Sequence, residues 1–481
     1  MPLSTLSTLP WSWPAIFAAL VVAALAATAR RKDDDGNIPW ATGAIPLLGH
    51  ALAYKRDPAS FITEQRKLVG DVFRLNLAGK RMIVIAGGAE NVKAVAFASE
   101  RRFSARAAVR DVGFGELLGE RNVDAGTDFH ARVLRRWRLD DAEIAHLAKA
   151  LEAGLDAELT GGKEVPDLLA AIRGAVLRAV LARLIGGGIL ERGGADLVDA
   201  VVEFQDGVEE ATAAAAVFPR WLALPLILWP AARRRRHLEK RIAAALEGGD
   251  GPRGPWATAF GERGLPAAIA AEFSVGLLFA AHKNPAIASF QALLFLHERR
   301  LPAALHACIN TVDSFQEALV VARDPSASTL REAQQLCRVA LEAIRLTAHT
   351  VGAVRLATED CALPGNRVVK KGETVALSHI AFSRDEALWG PNAAKFSTAR
   401  EAYAGPVAFD ARGTADDIAY SAFSQGTHKC PGERVALVIV QTTLALLVAR
   451  GVRPVKVPPL CFERATLAQR AAPVRAIVGV V

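Results

Sequence analysis

Closely spaced cysteines are missing from this sequence. Its five cysteines are odd in number and scattered, and no two of them form a C-x-x-C step. A disulfide framework or a structural zinc site would need a different pattern, so both are excluded, and a reducing compartment is predicted. The cysteines are Cys308, Cys337, Cys361, Cys430 and Cys461.

Aromatic residues are also few, at 6% of the chain, and they are not interleaved with basic residues. This argues against nucleic-acid binding, although 58 basic and 50 acidic residues leave a net charge of +8. An excess of this size suits an anionic membrane surface or an acidic protein partner. No G-x-G-x-x-G run stands in the strand–turn–helix context of a dinucleotide site, so none is predicted.

Charge is absent from the N-terminus, where no charged residue precedes Arg30. Residues 13–29 form an apolar run close to the minimum length that spans a bilayer, and the basic residues 30–32 follow at once. The alternative, a cleaved signal peptide, would place positive charge before the apolar run. We therefore predict a membrane anchor over residues 1–32 and a cytosolic body over residues 33–481.

The body is predicted to be mainly α (α+β), rich in helices with small β-sheets. Residues 71–87 contain two β-like runs around Gly79 and Lys80, which is a hairpin pattern. Residues 88–350 are dominated by Ala/Leu-rich helical segments, and strand-like runs return after residue 350. No internal repeat is visible.

A second apolar stretch, residues 218–241, contains prolines and ends in a run of four arginines. The prolines argue against a spanning helix. We expect an apolar loop that dips into the membrane interface beside a basic anchor. The alternative is a buried loop followed by a solvated basic helix.

Cys430 stands before a Pro-Gly step that opens a long apolar helix. Unpaired N–H groups at a helix start favour thiolate over thiol, and Lys429 and Arg434 add positive charge nearby. Gly426 and Gly432 allow a flat ligand to approach the backbone. These features predict a soft metal ligand, although a lone cysteine at a helix start can also be structural.

Five residues form the pattern F-x-x-G-x-H-x-C-x-G: Phe423, Gly426, His428, Cys430 and Gly432. This pattern resembles the haem-binding loop of the cytochrome P-450 family. The resemblance extends from about residue 37 to 480. It includes the E-x-x-R pair Glu342 and Arg345, a meander that ends at Arg400, and the Pro-rich lead-in after the anchor. The resemblance implies the P-450 fold, with the Glu–Arg–Arg cluster structural rather than catalytic.

The resemblance also implies haem b, with Cys430 as its axial thiolate and Phe423 in the haem loop. His428 and Arg355 match positions that bind the haem propionates. A third partner normally comes from an early helix; we assign His130 and Arg135, with Arg132 or Arg136 as alternatives.

Family members of the microsomal type lie in the endoplasmic reticulum membrane and take electrons from NADPH through a separate flavoprotein reductase. The resemblance implies both for this chain. Residues 132–138, Lys429 and Arg434 would form a basic docking surface for an acidic face of the reductase.

The sequence departs from the family where a long helix should cross the distal face of the haem. The family usually has an acid followed by threonine there, which relay protons to dioxygen. Here Lys283 and Asn284 stand in those positions, and Pro285 follows. Asn284 is therefore our catalytic candidate, and the alternative is that it only accommodates the kink. His282 is expected to be packed rather than to bind iron.

An Asn-Pro arrangement resembles the branch that includes sterol hydroxylases and prostacyclin synthase. Two functions therefore remain open. The first is a monooxygenase that oxidises a hydrophobic small molecule, such as a terpenoid, polyketide or steroid-like secondary metabolite. The second is a haem-thiolate isomerase or dehydratase that rearranges a peroxide without NADPH. An inactive haem-binding sensor is a third alternative.

Overall fold

The structure is a computed structural model. It describes residues 37–46, 48–159, 164–186, 188–215, 218, 220–247, 254–298, 311–349, 352–462 and 467–479. The predicted anchor, residues 1–32, lies outside the described residues. Among the residues that are described, no helix is both long and apolar enough to span a membrane.

Helices dominate the fold, as predicted. In chain order they are α1 Ala51–Arg56, α2 Pro58–Val69, α3 Ala89–Ala96, α4 Ala105–Asp111, α5 Phe114–Leu118, α6 Thr127–Arg136, α7 Asp141–Glu158, α8 Leu168–Val180, α9 Ile189–Arg192, α10 Leu197–Ala215, α11 Arg220–Ala223, α12 Trp229–Glu247, α13 Pro255–Gly261, α14 Ala267–Ala281, α15 Lys283–Glu298, α16 Thr311–Arg323, α17 Ala327–Glu332, α18 Gln334–Thr347, α19 His379–Ser383, α20 Glu386–Trp389 and α21 Glu433–Ala449. Wide π-helical turns at Asn122–Gly126, Leu181–Ile185 and Leu224–Leu228 join some of them.

The strands are short and form small sheets, which confirms the α+β prediction. They are β1 Val72–Leu77, β2 Lys80–Ile85, β3 Phe103–Ser104, β4 Glu164–Val165, β5 Ala353–Ala357, β6 Cys361–Leu363, β7 Arg367–Val369, β8 Thr374–Leu377, β9 Val407–Ala408, β10 Ala411–Arg412, β11 Arg453–Pro454, β12 Leu460–Cys461, β13 Gln469–Arg470 and β14 Ala476–Ile477. The largest sheet has the order β1-β2-β8-β5-β3.

The predicted hairpin is confirmed. β1 and β2 pair antiparallel, with Leu77 opposite Lys80. The two turn residues between them, Ala78 and Gly79, have φ values of 50° and 94°. Two consecutive residues with positive φ form the tight turn that suits the twist of a hairpin. β8 then pairs parallel to β2, and this pairing brings a segment from residue 374 onward beside the N-terminal strands.

The helical core surrounds α15, which is buried along nearly its whole length. Its neighbours include α8, α18 and α21. A helix that is buried on all sides reads as apolar all round, and α15 does so from Pro285 to Leu296 apart from Ser289 and Gln291. Both polar side chains bond to backbone carbonyls, Ser289 to Pro285 and Gln291 to Ala468. The position of α15 therefore fixes the geometry of the site beside it.

The prediction of a loop at residues 218–241 is wrong. Residues 220–247 form α11, a π-helical turn and α12 in direct succession. Pro225 lies in the first positions of the π-helical turn and Pro230 near the start of α12, where a wide turn tolerates a missing N–H. The arginine run lies on α12, as the alternative prediction of a solvated basic helix had it. Arg233, Arg234 and Arg236 are exposed there.

The predicted Glu–Arg–Arg cluster forms in the core. Arg345 donates to both carboxylate oxygens of Glu342, at 2.8 and 2.7 Å, and Arg400 Nε donates to Glu342 Oε1 at 2.8 Å. The Tyr403 hydroxyl also donates to Glu342, at 2.9 Å. All four side chains are buried, and Arg345 bonds further to the Ser383 carbonyl. The cluster thus fixes α18 to the meander.

Candidate active site

Cys430 lies between a short 3-10 turn, Gly426–His428, and the start of α21. Its N–H donates to the Phe423 carbonyl at 2.8 Å, which closes the loop. Gly426 has φ of +68°, and a Cβ on it would overlap the Ala96 carbonyl oxygen of α3. A glycine is therefore required there, both for the backbone conformation and for the contact with α3.

The pKa of the Cys430 thiol differs from the sequence-based expectation of a thiolate. Burial raises the pKa of Cys430, and the N–H of Gly432 opposes this only in part. The helix start therefore does not by itself make the group a thiolate. Metal coordination deprotonates a buried cysteine, so the ligand prediction depends on a bound metal rather than on a free thiolate.

A cavity of about 550 Å³ opens beside Cys430. The haem loop and α21 line one side, and the break between α14 and α15 lines another. Most of the predicted site residues line this one cavity: Cys430, His428, Phe423, His130 and Asn284. Its remaining walls are largely apolar. The described part of the chain contains no group of three or more His, Cys, Asp or Glu residues that could hold a metal ion.

Basic side chains gather near one part of this cavity. Arg355 of β5 is 3% exposed, and its Nη1 donates to the Val354 carbonyl at 2.9 Å. Its Nη2 is buried without a hydrogen-bond partner among the described residues. His379, at the start of α19, lines the cavity. Its Nδ1 is also buried without a hydrogen-bond partner among the described residues. Burial and the Arg355 charge lower the pKa of His379 to about 4, so it is neutral.

His428 is tied to an acid that sequence analysis missed. Its Nε2 lies 2.6 Å from Glu100 Oε1. Burial and the Arg355 charge lower the pKa of His428, whereas Glu100 opposes them. Glu100 is held by Ser104 Oγ and the Ala105 N–H, at 2.7 and 3.1 Å. The spacing of Glu100 from the haem loop gave no signal of this contact, which depends on how α3 packs against that loop.

The early helix, α6, brings His130 to the cavity as predicted, but not Arg135. His130 Nε2 lies 3.1 Å from Asn122 Oδ1, and the ring stacks on Trp256 with centroids 4.6 Å apart. Burial lowers its pKa to about 3, so His130 is neutral and donates through Nε2. Arg135 and its alternatives Arg132 and Arg136 are exposed and are not among the cavity-lining residues, whereas Leu134 is.

The long helix is interrupted next to the cavity. α14 ends at Ala281 and α15 begins at Lys283, with His282 between them at φ of −113°. Asn284 lines the cavity. Pro285 has no N–H to offer the Ala281 carbonyl. His282 is fully buried, with Nδ1 2.6 Å from the Leu278 carbonyl, and it does not line the cavity. It is packed, as expected.

Comparison with known proteins agrees with this geometry. A family model described as Cytochrome P-450 matches residues 267–450, which include both the α14–α15 break and Cys430. A cyanobacterial structure, retinoic acid-bound CYP120A1, has the same fold, with a TM-score of 0.69 and 18% identity. The match covers 92% of this chain and 99% of that one. Residues 267–450 thus match the cytochrome P-450 family, and the chain has the fold of a P-450 structure. The mainly helical P-450 fold predicted from the sequence is thereby confirmed.

Curated P-450 relatives match only in part. Cytochrome P-450 734A6 of Oryza sativa subsp. japonica is 32% identical over 126 residues, which are 26% of this chain and 22% of the relative. Cytochrome P-450 monooxygenase sphH of Aspergillus fumigatus is 31% identical over 28% of this chain and 25% of its own length. Indoleacetaldoxime dehydratase of Arabidopsis thaliana is 34% identical over 20% and 18%. The matches span a quarter or less of these relatives.

The match to the P-450 family model implies haem with a cysteine thiolate ligand, and the residues present fit that group. Cys430 lines the cavity together with Gly432, whose missing side chain leaves room for a flat ring beside the sulfur. The buried, unpartnered Nη2 of Arg355 is a donor that a propionate carboxylate would satisfy. His428 lines the same cavity, and because its Nε2 carries a proton toward Glu100, its Nδ1 would donate to a propionate only in the protonated ring.

Proposed function

We propose that this chain is a haem-thiolate monooxygenase that oxidises a hydrophobic small molecule with O2. The observation that carries the proposal is an apolar cavity with Cys430 on one side and the interrupted α14–α15 helix, with Asn284, on another. When bound to a thiolate, haem supplies the O–O cleavage that such an oxidation needs. Cys430 would hold the iron, and Arg355 and His428 would bind the propionates.

The substrate class follows from the cavity walls. Most of the lining is aliphatic or aromatic, and Asn122, Thr127 and Asn284 are among the few polar groups that could fix an orientation. The apolar lining includes Val109, Phe114, Leu118, Leu184, Phe279 and Leu467. A terpenoid, polyketide or steroid-like molecule suits such a lining.

Asn284 is the proposed catalytic side chain. Its amide can donate and accept hydrogen bonds, and the nearby Ala281 carbonyl lacks a helical N–H from Pro285. Together these groups can hold water molecules in the cavity. A held water replaces the hydroxyl that most family members place here, and it can pass protons toward the substrate side.

Electrons would come from NADPH through a separate flavoprotein reductase. Exposed arginines on α6, just after it and at the start of α21 suit an acidic partner face, and Leu134 of α6 packs close to Gly432 of the haem loop. Lys429 contributes less than expected, because its Nζ is 2.8 Å from Asp417 and 2.9 Å from Glu433. The exposed arginines are Arg132, Arg135, Arg136, Arg138 and Arg434.

Membrane attachment is part of the proposal. The anchor over residues 1–32 would hold the protein in the endoplasmic reticulum membrane, with the P-450 domain in the cytosol. Trp221, Leu226 and Trp229 are 73%, 64% and 54% exposed on α11–α12, directly before the arginine run. Exposed aromatics beside cations suit the interface of an anionic membrane.

A second function is favoured by one observation, the replacement of the acid–hydroxyl pair by Lys283 and Asn284. A haem-thiolate isomerase or dehydratase needs no proton relay to O2, and one relative is named as a dehydratase. In that case Asn284 would orient a peroxide or oxime oxygen of the substrate.

One assay tests the proposal against this alternative. The full chain is incubated with candidate apolar substrates, NADPH, reductase and air, and in parallel with peroxide substrates under nitrogen without reductase. Product that forms only with NADPH, reductase and air supports the monooxygenase. Product formed anaerobically from a peroxide contradicts it and supports the alternative.

A further inference from the structure

A cluster of charged side chains lies beside the α14–α15 break without lining the cavity. Lys283 is only 2% exposed, yet its Nζ is 2.8 Å from Asp206 Oδ1 and 2.7 Å from Glu209 Oε2. Arg173 completes the cluster, with Nη1 2.8 Å from Asp206 Oδ2. Charges from α8, α10 and α15 therefore meet behind the break. The two cations and two carboxylates balance, which a buried cluster requires.

Several polar atoms in this cluster lack a protein partner. Glu209 Oε1, His282 Nε2 and Arg173 Nε are buried and make no hydrogen bond to any residue that the structure describes. The His282 ring lies close to the cluster, because the charges of Arg173, Lys283 and Asp206 all act on its pKa. Buried polar atoms nearly always bond to protein or to ordered water. Three such atoms around one charge cluster indicate a hydrated pocket.

The state of His282 can be assigned. Burial, then the Arg173 charge, lowers its pKa to about 3, so the ring is neutral. Nδ1 lies 2.6 Å from the Leu278 carbonyl, which can only accept, so Nδ1 carries the proton. Nε2 is therefore a bare acceptor, and it needs a donor. A water molecule is the donor that fits a buried polar site of this kind.

The cluster also extends from solvent toward the cavity. Asp206 keeps 31% of its side chain exposed. At the other end, Ala281 and Asn284 flank His282 and Lys283 in the chain, and both line the cavity. The Ala281 carbonyl, which receives no N–H from Pro285, is free to accept from water. Groups that can bind water thus run from the surface to the helix break.

We propose that Lys283, Glu209 and His282 hold ordered water molecules that carry protons from solvent at Asp206 to the cavity. This inference rests on the proposed function, in which RH and O2 give ROH and H2O. That reaction takes two electrons from the reductase and two protons from solvent. The Lys283 ammonium uses two of its three N–H groups on Asp206 and Glu209, so the third can orient a water molecule, and the protons pass along the held waters from solvent at Asp206. The cluster then takes the role of the acid that most family members have at the position of Lys283.

The first test does not depend on turnover. A crystal structure of the haem-loaded full chain is refined for ordered water near the α14–α15 break. We expect water within hydrogen-bond distance of Glu209 Oε1 and of His282 Nε2. Finding neither water overturns the proposal even if the enzyme is active.

The second test compares Glu209→Gln with Glu210→Gln, a matched change one residue along on the exposed face of α10. Glu209→Gln keeps a hydrogen-bonding oxygen for Lys283 but replaces the unpartnered carboxylate oxygen, which would accept from the held water, by an NH2 group that can only donate. Proton-transfer groups typically contribute about 100-fold or more, and since water can substitute in part we expect about a tenfold fall in product per NADPH. Peroxide should rise correspondingly in Glu209→Gln only.

Each outcome decides something. Equal product per NADPH in the two variants, with haem spectra unchanged, overturns the proton path. A wild-type chain that forms no product from any substrate with NADPH, reductase and air removes the proposed function instead. The water positions then still report whether the cluster is hydrated. If Glu209→Gln does not bind haem, the water positions in the wild-type chain alone decide the proposal.

Discussion

Glu342 offers the sharpest test of how the fold is held together. Replacing it by Gln keeps the shape of the side chain but removes its charge. Two arginines then remain buried without a counter-ion, since Arg345 and Arg400 are 1% and 4% exposed in their side chains. Removing one partner of a buried ion pair costs about 3–5 kcal/mol. Native domains have only about 5–15 kcal/mol of stability in total.

The structure supplies two controls for this variant. Tyr403→Phe removes one hydrogen bond to the Glu342 carboxylate, for which we expect about 1.5–3 kcal/mol. Glu332→Gln changes an exposed carboxylate on α17, for which we expect less than about 0.5 kcal/mol. The free energy of unfolding is measured by urea titration of the haem-loaded full chain. The order Glu342, then Tyr403, then Glu332 is predicted. Stability of Glu342→Gln equal to that of Glu332→Gln would refute the reasoning.

Three further predictions concern the site. Arg355→Leu should weaken haem binding about tenfold or more, because a charged hydrogen bond to a propionate contributes about 1.5–3 kcal/mol; an unchanged haem titration would contradict the propionate assignment. Gly426→Ala should give protein that binds little haem, because the added methyl meets the Ala96 carbonyl, whereas Gly390→Ala, with open space around it, should still bind haem. Asn284→Leu should keep the haem spectrum but lower product per NADPH and release peroxide, and full coupling in this variant would remove Asn284 from catalysis.

Much of the fold follows from local patterns in the sequence. The β1–β2 hairpin, the apolar helix after Cys430 and the E-x-x-R pair each depend on residues that are close together in the chain. The mainly helical class follows in the same way from the Ala/Leu-rich segments. Helices and hairpins form where local preferences and the pattern of apolar residues agree. These predictions needed no knowledge of long-range packing.

The missed features all depend on contacts between distant segments. His379 reaches the cavity because β8 pairs beside β2 and β5, and no spacing in the sequence encodes that pairing. Glu100 meets His428 only because α3 packs against the haem loop. The Lys283 partners lie on α10, more than seventy residues away. Local patterns also mislead where a π-helical turn accommodates Pro225, which turned an expected loop into a helix.

The central claim is that Cys430 binds the iron of a haem as thiolate. The most direct measurement is the absorption spectrum of the reduced, carbon monoxide-bound full chain. We predict the strongly red-shifted Soret band of a thiolate haem in the wild-type protein and its loss in Cys430→Ala, with the band kept in Cys461→Ala. A Cys430→Ala protein that retains the red-shifted band would contradict the account.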